Sequence, residues 1–253
     1  MRIEDLDTPR NVPGAIQRIL GTLAAFGFEW PEPVLHQSTR GPAYQQVLGA
    51  LRDLGLIYRC RCSRRDLADE TRYPGTCRER HWPADTAAAL RLAVPPGHWG
   101  FRDRLHGEFR QEVASASGDF ILSRRDEVIA YALAVVVDDA HQGVTDIVRG
   151  ADLLDLTPRH VLLQRLLKLP TPRYAHVPVL IEADGGKLAK SRRSVAVTPS
   201  APQRQLCEVF TLLGLAPPSL LETASLGAVW DWGQAHWLQR LTRRDFPLAI
   251  SVG

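Results

Sequence analysis

The stretch from Ala134 to Leu154 runs an apolar segment into two adjacent acids, Asp138 and Asp139. It then passes a glycine-containing turn and carries Arg149, Gly150 and Asp152 to the far end of a second, β-branched segment. Such a pattern reads as strand, turn and strand with polar groups at the tips. Further along, Lys187-Leu188-Ala189-Lys190-Ser191 follows two glycines and sets two cations at i, i+3 on one loop. Paired cations on a loop can neutralise charge that develops on phosphate oxygens, a task of positioning and electrostatics rather than proton transfer. Together the two segments predict a nucleotide-handling site. The competing reading of Asp138 and Asp139 is loop solvation or capping, and His141 reads as a surface turn residue.

A second group is built from cysteine. Cys60 and Cys62 form a Cys-x-Cys pair, and Cys77 follows after fourteen intervening residues. In a chain of this kind that spacing predicts a structural zinc site. Three thiolates leave one corner of a tetrahedron open, for which Tyr73, His81 and solvent are candidates; by general zinc chemistry imidazole is preferred to phenol. No acid stands beside the cysteines as a general base, so the metal is expected to order an irregular lobe too poor in apolar surface to order itself. Cys207, between Leu206 and the Val209-Phe210 pair, reads instead as an ordinary core cysteine.

Composition bounds these readings. The chain has 253 residues, 45% of them hydrophobic, enough for one large or two modest domains with a sizeable core. No segment is long and apolar enough to span a bilayer and the N-terminus has no signal-peptide core, so a cytoplasmic protein without a membrane partner is expected. The formal net charge of +3 is too small to imply nucleic-acid binding by itself. Locally the balance is sharper: Arg59 to Arg80 holds seven arginines against four acids. Taken alone, that segment is a solvated basic face.

These groups need elements to carry them. Ile16, Ile19, Leu20, Leu23 and Phe26 recur at helical spacing after Pro13 and stop at Gly27. A second helix is expected from Pro42, with Val47, Leu48, Leu51 and Leu54 inward and Gly55 past its end, leading into a strand at Leu56 to Tyr58. Residues 60–82 read as irregular, and Phe101 to Phe120 as short strands of an insertion. Thr157-Pro158 reads as a helix cap and first turn that bring Val161, Leu162, Leu166 and Leu167 onto one face. Val177 to Ile181 is expected as one buried strand. Pro199 to Pro202 then separates a helical tail over 203–242, whose Trp230, Trp232 and Trp237 are expected to pack. The pattern predicts an α/β body with a parallel sheet, an inserted metal-bearing lobe and a small C-terminal helical subdomain.

The Ala134–Leu154 run and the lysine loop resemble the amino-acid site and the "KMSKS" loop of the class I glutamyl/glutaminyl-type aminoacyl-tRNA synthetases. The resemblance is nearest to their glutamyl-Q tRNA(Asp) branch and covers the chain as far as Ser191. It implies a Rossmann-like catalytic body, with its first half over 1–58, an inserted zinc-binding lobe over 59–120, the second half with the lysine loop over 121–198, and a helical subdomain over 199–253. Cys60, Cys62, Tyr73 and Cys77 match the family's Cys-x-Cys…Tyr-x3-Cys zinc site, so the resemblance favours Tyr73 over His81. Arg2-Ile3-Glu4-Asp5 matches a family strand end at which the carboxylate, here Glu4, holds the ammonium of substrate glutamate. Tyr131 and Arg149 match the other glutamate-contacting positions; a guanidinium there can clasp the side-chain carboxylate and separate glutamate from glutamine. Lys187 and Lys190 are the implied catalytic cations, with Lys190 on ATP, although Ala189 stands where the family has Ser.

The resemblance implies ATP with Mg2+, glutamate and queuosine-bearing tRNA(Asp) as partners of a monomeric ligase that activates glutamate without tRNA and transfers it to the anticodon. The basic lobe then becomes an expected RNA contact. The family's "HIGH"-like strand, turn and helix has no counterpart here, which implies a body lacking its first strand and phosphate cradle, with little or no adenylation if Met1 is the true start. Two rivals follow: a truncated glutamyl-tRNA synthetase that charges tRNA(Glu), and a catalytically impaired tRNA-binding remnant.

Overall fold

A computed structural model describes residues 1–7, 9, 11–63, 65–67, 72–182, 197–241 and 245–252. The chain opens with strand β1 (Arg2–Ile3), helix α1 (Ala15–Ala25) and strand β2 (Leu35–His36), which pairs with β1 in parallel. Helix α2 (Gly41–Asp53) and strand β3 (Ile57–Cys60) follow. The helices predicted from Pro13 and Pro42 are both present, and Gly27 and Gly55 end them at positive φ, where a side chain would be strained. The inward face of α2 differs from the expected one. Tyr44, Leu48 and Leu51 are fully buried, while Leu54 stands 63% exposed.

Strands β4 (Ala89–Leu92) and β7 (Ile121–Ser123) complete an antiparallel sheet in the order β3-β4-β7. Between them lies the hairpin of β5 (His98–Asp103) and β6 (Gly107–Glu112), followed by the short helix α3 (Val113–Ala116). The short strands expected around Phe101 are present, and β5 also adds in parallel to β9 (Arg173–Val177) through Asp103 opposite Tyr174. With β8 (Asp146–Gly150), also parallel to β9, they form a four-stranded sheet in the order β6-β5-β9-β8.

The Ala134 run is a helix and not the strand expected. Helix α4 (Tyr131–His141) buries every residue from Ala132 to Asp139. A helix enclosed on all sides has no polar stripe, so its periodicity cannot be told from that of a buried strand; its eleven residues exceed the usual buried strand. Asp138 and Asp139 therefore neither solvate a loop nor cap a helix. His141, the last helical residue, is exposed as expected.

Helix α5 (Thr157–Leu166) begins as predicted, but the Thr157 hydroxyl does not cap it. It accepts from Arg149 at 2.6 Å and lies 2.9 Å from the Leu153 carbonyl and 3.0 Å from His176 Nε2, either of which can take its proton. The strand expected over Val177 to Ile181 is two. Pro178, which has no N–H for a ladder, separates β9 from β10 (Val179–Glu182). The tail supplies α6 (Pro202–Leu212) and α7 (Leu226–Arg240), and β11 (Ala249–Val252) returns to pair in parallel with β10.

Leu48, Leu51, Leu92, Leu122, Leu133, Leu162 and Leu163 make a shared core beneath α2, α4, α5 and the β3-β4-β7 sheet. Each fully buried leucine contributes about 2 kcal/mol relative to exposure. A second cluster joins Cys207, Leu206 and Phe210 of α6 to Val229 of α7 and to Phe26. Trp230 and Trp232 pack on it, and Trp230 Nε1 donates to the Phe26 carbonyl at 2.8 Å. Trp237 packs on Phe246 with ring centroids 5.3 Å apart, so all three tryptophans pack. No helix among the described residues is long and apolar enough to cross a membrane.

Candidate active site

Arg149 lies one residue from the C-terminal end of β8, directly opposite His176 on β9. Its Nε donates to His176 Nε2 at 3.2 Å, its Nη2 donates to Thr157 Oγ1 at 2.6 Å, and its Nη1 lies 3.3 Å from His160 Nδ1. The guanidinium carbon stands 5.4 Å from the centre of the Tyr174 ring. Thr157, His160 and His176 are at most 1% exposed. Burial, followed by the nearby Arg149, Arg159 and His176, pulls the His160 imidazole down to about 3, so it is neutral and its Nδ1 is free to accept. Arg149 is therefore held by a hydroxyl and two imidazole nitrogens, and among the described residues no carboxylate pairs with it. Its charge is available to an anion.

Tyr131, the first residue of α4, remains 42% exposed, with its ring 5.8 Å from that of His160. Burial pushes its hydroxyl above the ordinary value; Arg149 opposes the shift, while Glu4 and Asp139 add to it. Tyr131, Arg149 and Glu4 thus share one electrostatic neighbourhood. Glu4, just past β1, accepts from Arg2 Nη2 at 3.1 Å, and Arg2 Nη1 donates to Asp139 at 2.7 Å. Glu4 and Tyr131 line a cleft of about 860 Å³, together with Gln37, Cys62, Arg124 and Ile129. The three residues expected to meet the substrate amino acid come from β1, α4 and β8, and the fold brings them together. The holders of Arg149, namely Thr157, His160 and His176, escaped sequence reasoning, as did Asp103, which lies 2.6 Å from His176 Nδ1. The signal available was the placement of Thr157 and His160 one helical turn apart, just after the arginine strand.

Asp138 is fully buried and accepts from Tyr44 Oη at 2.6 Å, Gln37 Nε2 at 2.9 Å and Arg40 Nε at 3.1 Å. Burial, then the bond to Asp138, raises the Tyr44 hydroxyl well above its ordinary value. This acid braces α4 against α2 and the turn before it. Its neighbour Asp139 serves β1.

Cys60, Cys62 and Cys77 place their sulfurs within 4.8 Å of one another, a group that could hold a metal ion. Tyr73 Oη lies 3.3 Å from Cys60 Sγ and 3.7 Å from Cys62 Sγ, and the Cys77 amide donates to it at 2.9 Å. His81 is exposed. Three soft sulfurs with a phenol oxygen closing the fourth side fit Zn2+ by donor chemistry. Burial raises the Cys77 thiol, but hydrogen bonds led by the Arg61 backbone amide outweigh it and hold the group at about 6, favouring thiolate. Gly118 makes the loop geometry accessible. At φ +66° it would put a Cβ 2.3 Å from the Tyr73 carbonyl oxygen, which only glycine avoids. On the flank of this lobe the Arg61 guanidinium lies 4.9 Å over the Trp82 ring. Lys187 and Lys190 lie outside the described residues.

The family model for the catalytic domain of class I tRNA synthetases (E and Q) matches residues 1–223. A protein of Ectopseudomonas mendocina named glutamyl-Q tRNA(Asp) synthetase is 49% identical over 238 residues, covering 94% of this chain and 81% of that protein. A protein of the same name from Aromatoleum aromaticum is 46% identical, covering all of this chain and 83% of its own length. Among solved structures, a glutamate tRNA ligase from Elizabethkingia meningosepticum in complex with its amino acid superposes with a TM-score of 0.70 at 22% identity, over 90% of this chain. The glutamate-tRNA synthetase of Elizabethkingia anophelis gives 0.71 at 20% identity, over 94% of this chain. This chain spans 56% and 63% of those two structures' chains, and they establish the α/β fold. With the family model over most of its length and relatives near half identity, the chain belongs to the class I glutamyl/glutaminyl tRNA synthetases and, among them, to the glutamyl-Q tRNA(Asp) synthetases.

Proposed function

We propose that this protein is a ligase that activates glutamate with ATP and transfers it to queuosine in the anticodon of tRNA(Asp). One observation carries the reading: Arg149 is half-buried, held by a hydroxyl and two imidazole nitrogens, has no carboxylate partner among the described residues, and stands beside Tyr131 and Glu4. A guanidinium so held, next to a carboxylate able to take an ammonium, suits a substrate with an acid at one end and an amine at the other. The relatives' names supply the acceptor.

Arg149 and Tyr131 take the side-chain carboxylate of glutamate, and Glu4 takes its ammonium. Lys187 and Lys190 stabilise the triphosphate as charge moves onto pyrophosphate, with Mg2+ shared by the phosphates. Zn2+ held by Cys60, Cys62, Cys77 and Tyr73 orders the lobe over 59–120, and its arginines meet RNA phosphate. The C-terminal helices form the small subdomain over 199–253. The enzyme works as a monomer in the cytoplasm.

The test uses the product of the complete reading frame. Glutamate-dependent ATP–pyrophosphate exchange without tRNA, followed by alkali-labile glutamate on queuosine-bearing tRNA(Asp), is expected. Glutamate on the 3′ end of tRNA(Glu) would instead identify a charging enzyme.

A further inference from the structure

We propose that Asp103 and His176 are positioning residues for substrate recognition, because they fix the imidazole tautomer against which Arg149 is aimed. The inference rests on Arg149 as the group that meets the substrate's side-chain carboxylate.

A guanidinium N–H donates and never accepts. Arg149 Nε points at His176 Nε2 across 3.2 Å, and Thr157 Oγ1, 3.0 Å from the same nitrogen, can turn its hydroxyl proton to it, so that ring nitrogen presents a lone pair to both. The ring proton is then on Nδ1, which faces Asp103 Oδ2 at 2.6 Å. Both residues are buried, with His176 fully covered and Asp103 2% exposed. The carboxylate is itself fixed: Oδ1 accepts the amides of Leu105 at 2.9 Å and His106 at 3.0 Å in the turn after β5. Burial raises the Asp103 carboxyl, and the bonds from His176, Leu105 and His106 more than reverse this.

Topology explains why the three groups align. Asp103 is opposite Tyr174 on β9, two residues before His176 and therefore on the same face, and His176 is opposite Arg149 on β8. Carboxylate, imidazole and guanidinium thus run in line across three parallel strands, with the guanidinium acting on Tyr131. A proton on His176 Nε2 would oppose the Nε–H of Arg149 and turn the guanidinium from its present direction. Thr157 Oγ1 holds the far side of the same guanidinium, so a rotation at Nε would also break that bond.

The chosen variant is Asp103→Asn. Its Oδ1 can keep the two backbone amides, which leaves an NH2 facing His176 Nδ1 and forces the ring proton onto Nε2. An Asp-to-Asn change beside a histidine is known to preserve geometry while inverting the tautomer. Losing one charge-assisted bond in register should raise the glutamate KM about tenfold or more and reduce the preference for glutamate over glutamine. The ATP KM and the thermal midpoint should move little. Equal changes in the glutamate and ATP KM values, or none, would overturn the proposal. Nitrogen-15 NMR of His176 in the unaltered protein tests the tautomer without a variant: Nδ1–H is expected, and Nε2–H or imidazolium would overturn it. If the unaltered protein shows no glutamate-dependent exchange while His176 is Nδ1–H, the substrate reading fails and the tautomer assignment stands.

Discussion

The carboxylate of Asp139 and the guanidinium of Arg2 meet at 2.7 Å, which ties the strand that carries Glu4 to the helix that begins with Tyr131. The preceding residue, Asp138, performs the same service for α2. Two adjacent acids in one buried helix therefore hold the Glu4 side and the Tyr131 side of the cleft in register. Their energetic weight comes from burial, since a buried carboxylate with several donors leaves those donors stranded when it is removed.

Asp138→Ala should destabilise the protein by about 3 kcal/mol, because Arg40, Gln37 and Tyr44 lose their common acceptor. Tyr44→Phe removes one bond and should cost about 1–2 kcal/mol. Urea unfolding of both variants checks the order, and a loss for Asp138→Ala no greater than for Tyr44→Phe would contradict the brace.

Arg2→Met should raise the glutamate KM about tenfold while leaving the ATP KM in place, because Glu4 loses the partner that orients it. Steady-state exchange kinetics at varied glutamate and varied ATP separate the two. A change confined to ATP would remove Arg2 from the amino-acid side.

His160 sets a pH dependence of stability. Its folded value near 3 lies below the unfolded value of 6.5, so between these the unfolded chain binds the extra proton and stability falls as the pH drops. The loss from this group should be about 2 kcal/mol on going from pH 7.5 to pH 5. His160→Gln should flatten that part of the profile, as read by chemical denaturation at each pH. An unchanged slope would show that His160 titrates normally in the folded state.

Removing metal with a strong chelator should release one zinc per chain and lower the thermal midpoint by about 5 °C or more, as should Cys77→Ser. Elemental analysis beside calorimetry decides this. A metal-free protein of unchanged stability would contradict a structural metal.

How far the sequence revealed the molecule depended on whether a signal was local. The cysteines and Tyr73 lie within one short segment, so their spacing and family match placed them together, and the fold puts phenol and thiols side by side. Arg149 was legible at the end of a β-branched run, and β8 is there. Its supports were not, because Asp103, Thr157, His160 and His176 come from β5, α5 and β9 and become neighbours only when β5 and β8 pair with β9 and α5 packs on that sheet. Helix α4 was read as a strand because uniform burial erases the period that distinguishes the two. Pro178 could have shown that one apparent strand was two.

The central claim is that Arg149 clasps the side-chain carboxylate of glutamate. Isothermal titration of glutamate and of glutamine into the unaltered protein and into Arg149→Lys addresses it most directly. Glutamate should bind the unaltered protein in clear preference to glutamine, and lysine, a point charge without the planar fork, should weaken glutamate about 100-fold and erase most of that preference. Equal binding of the two amino acids by the unaltered protein, or full retention of glutamate preference by Arg149→Lys, would contradict the account.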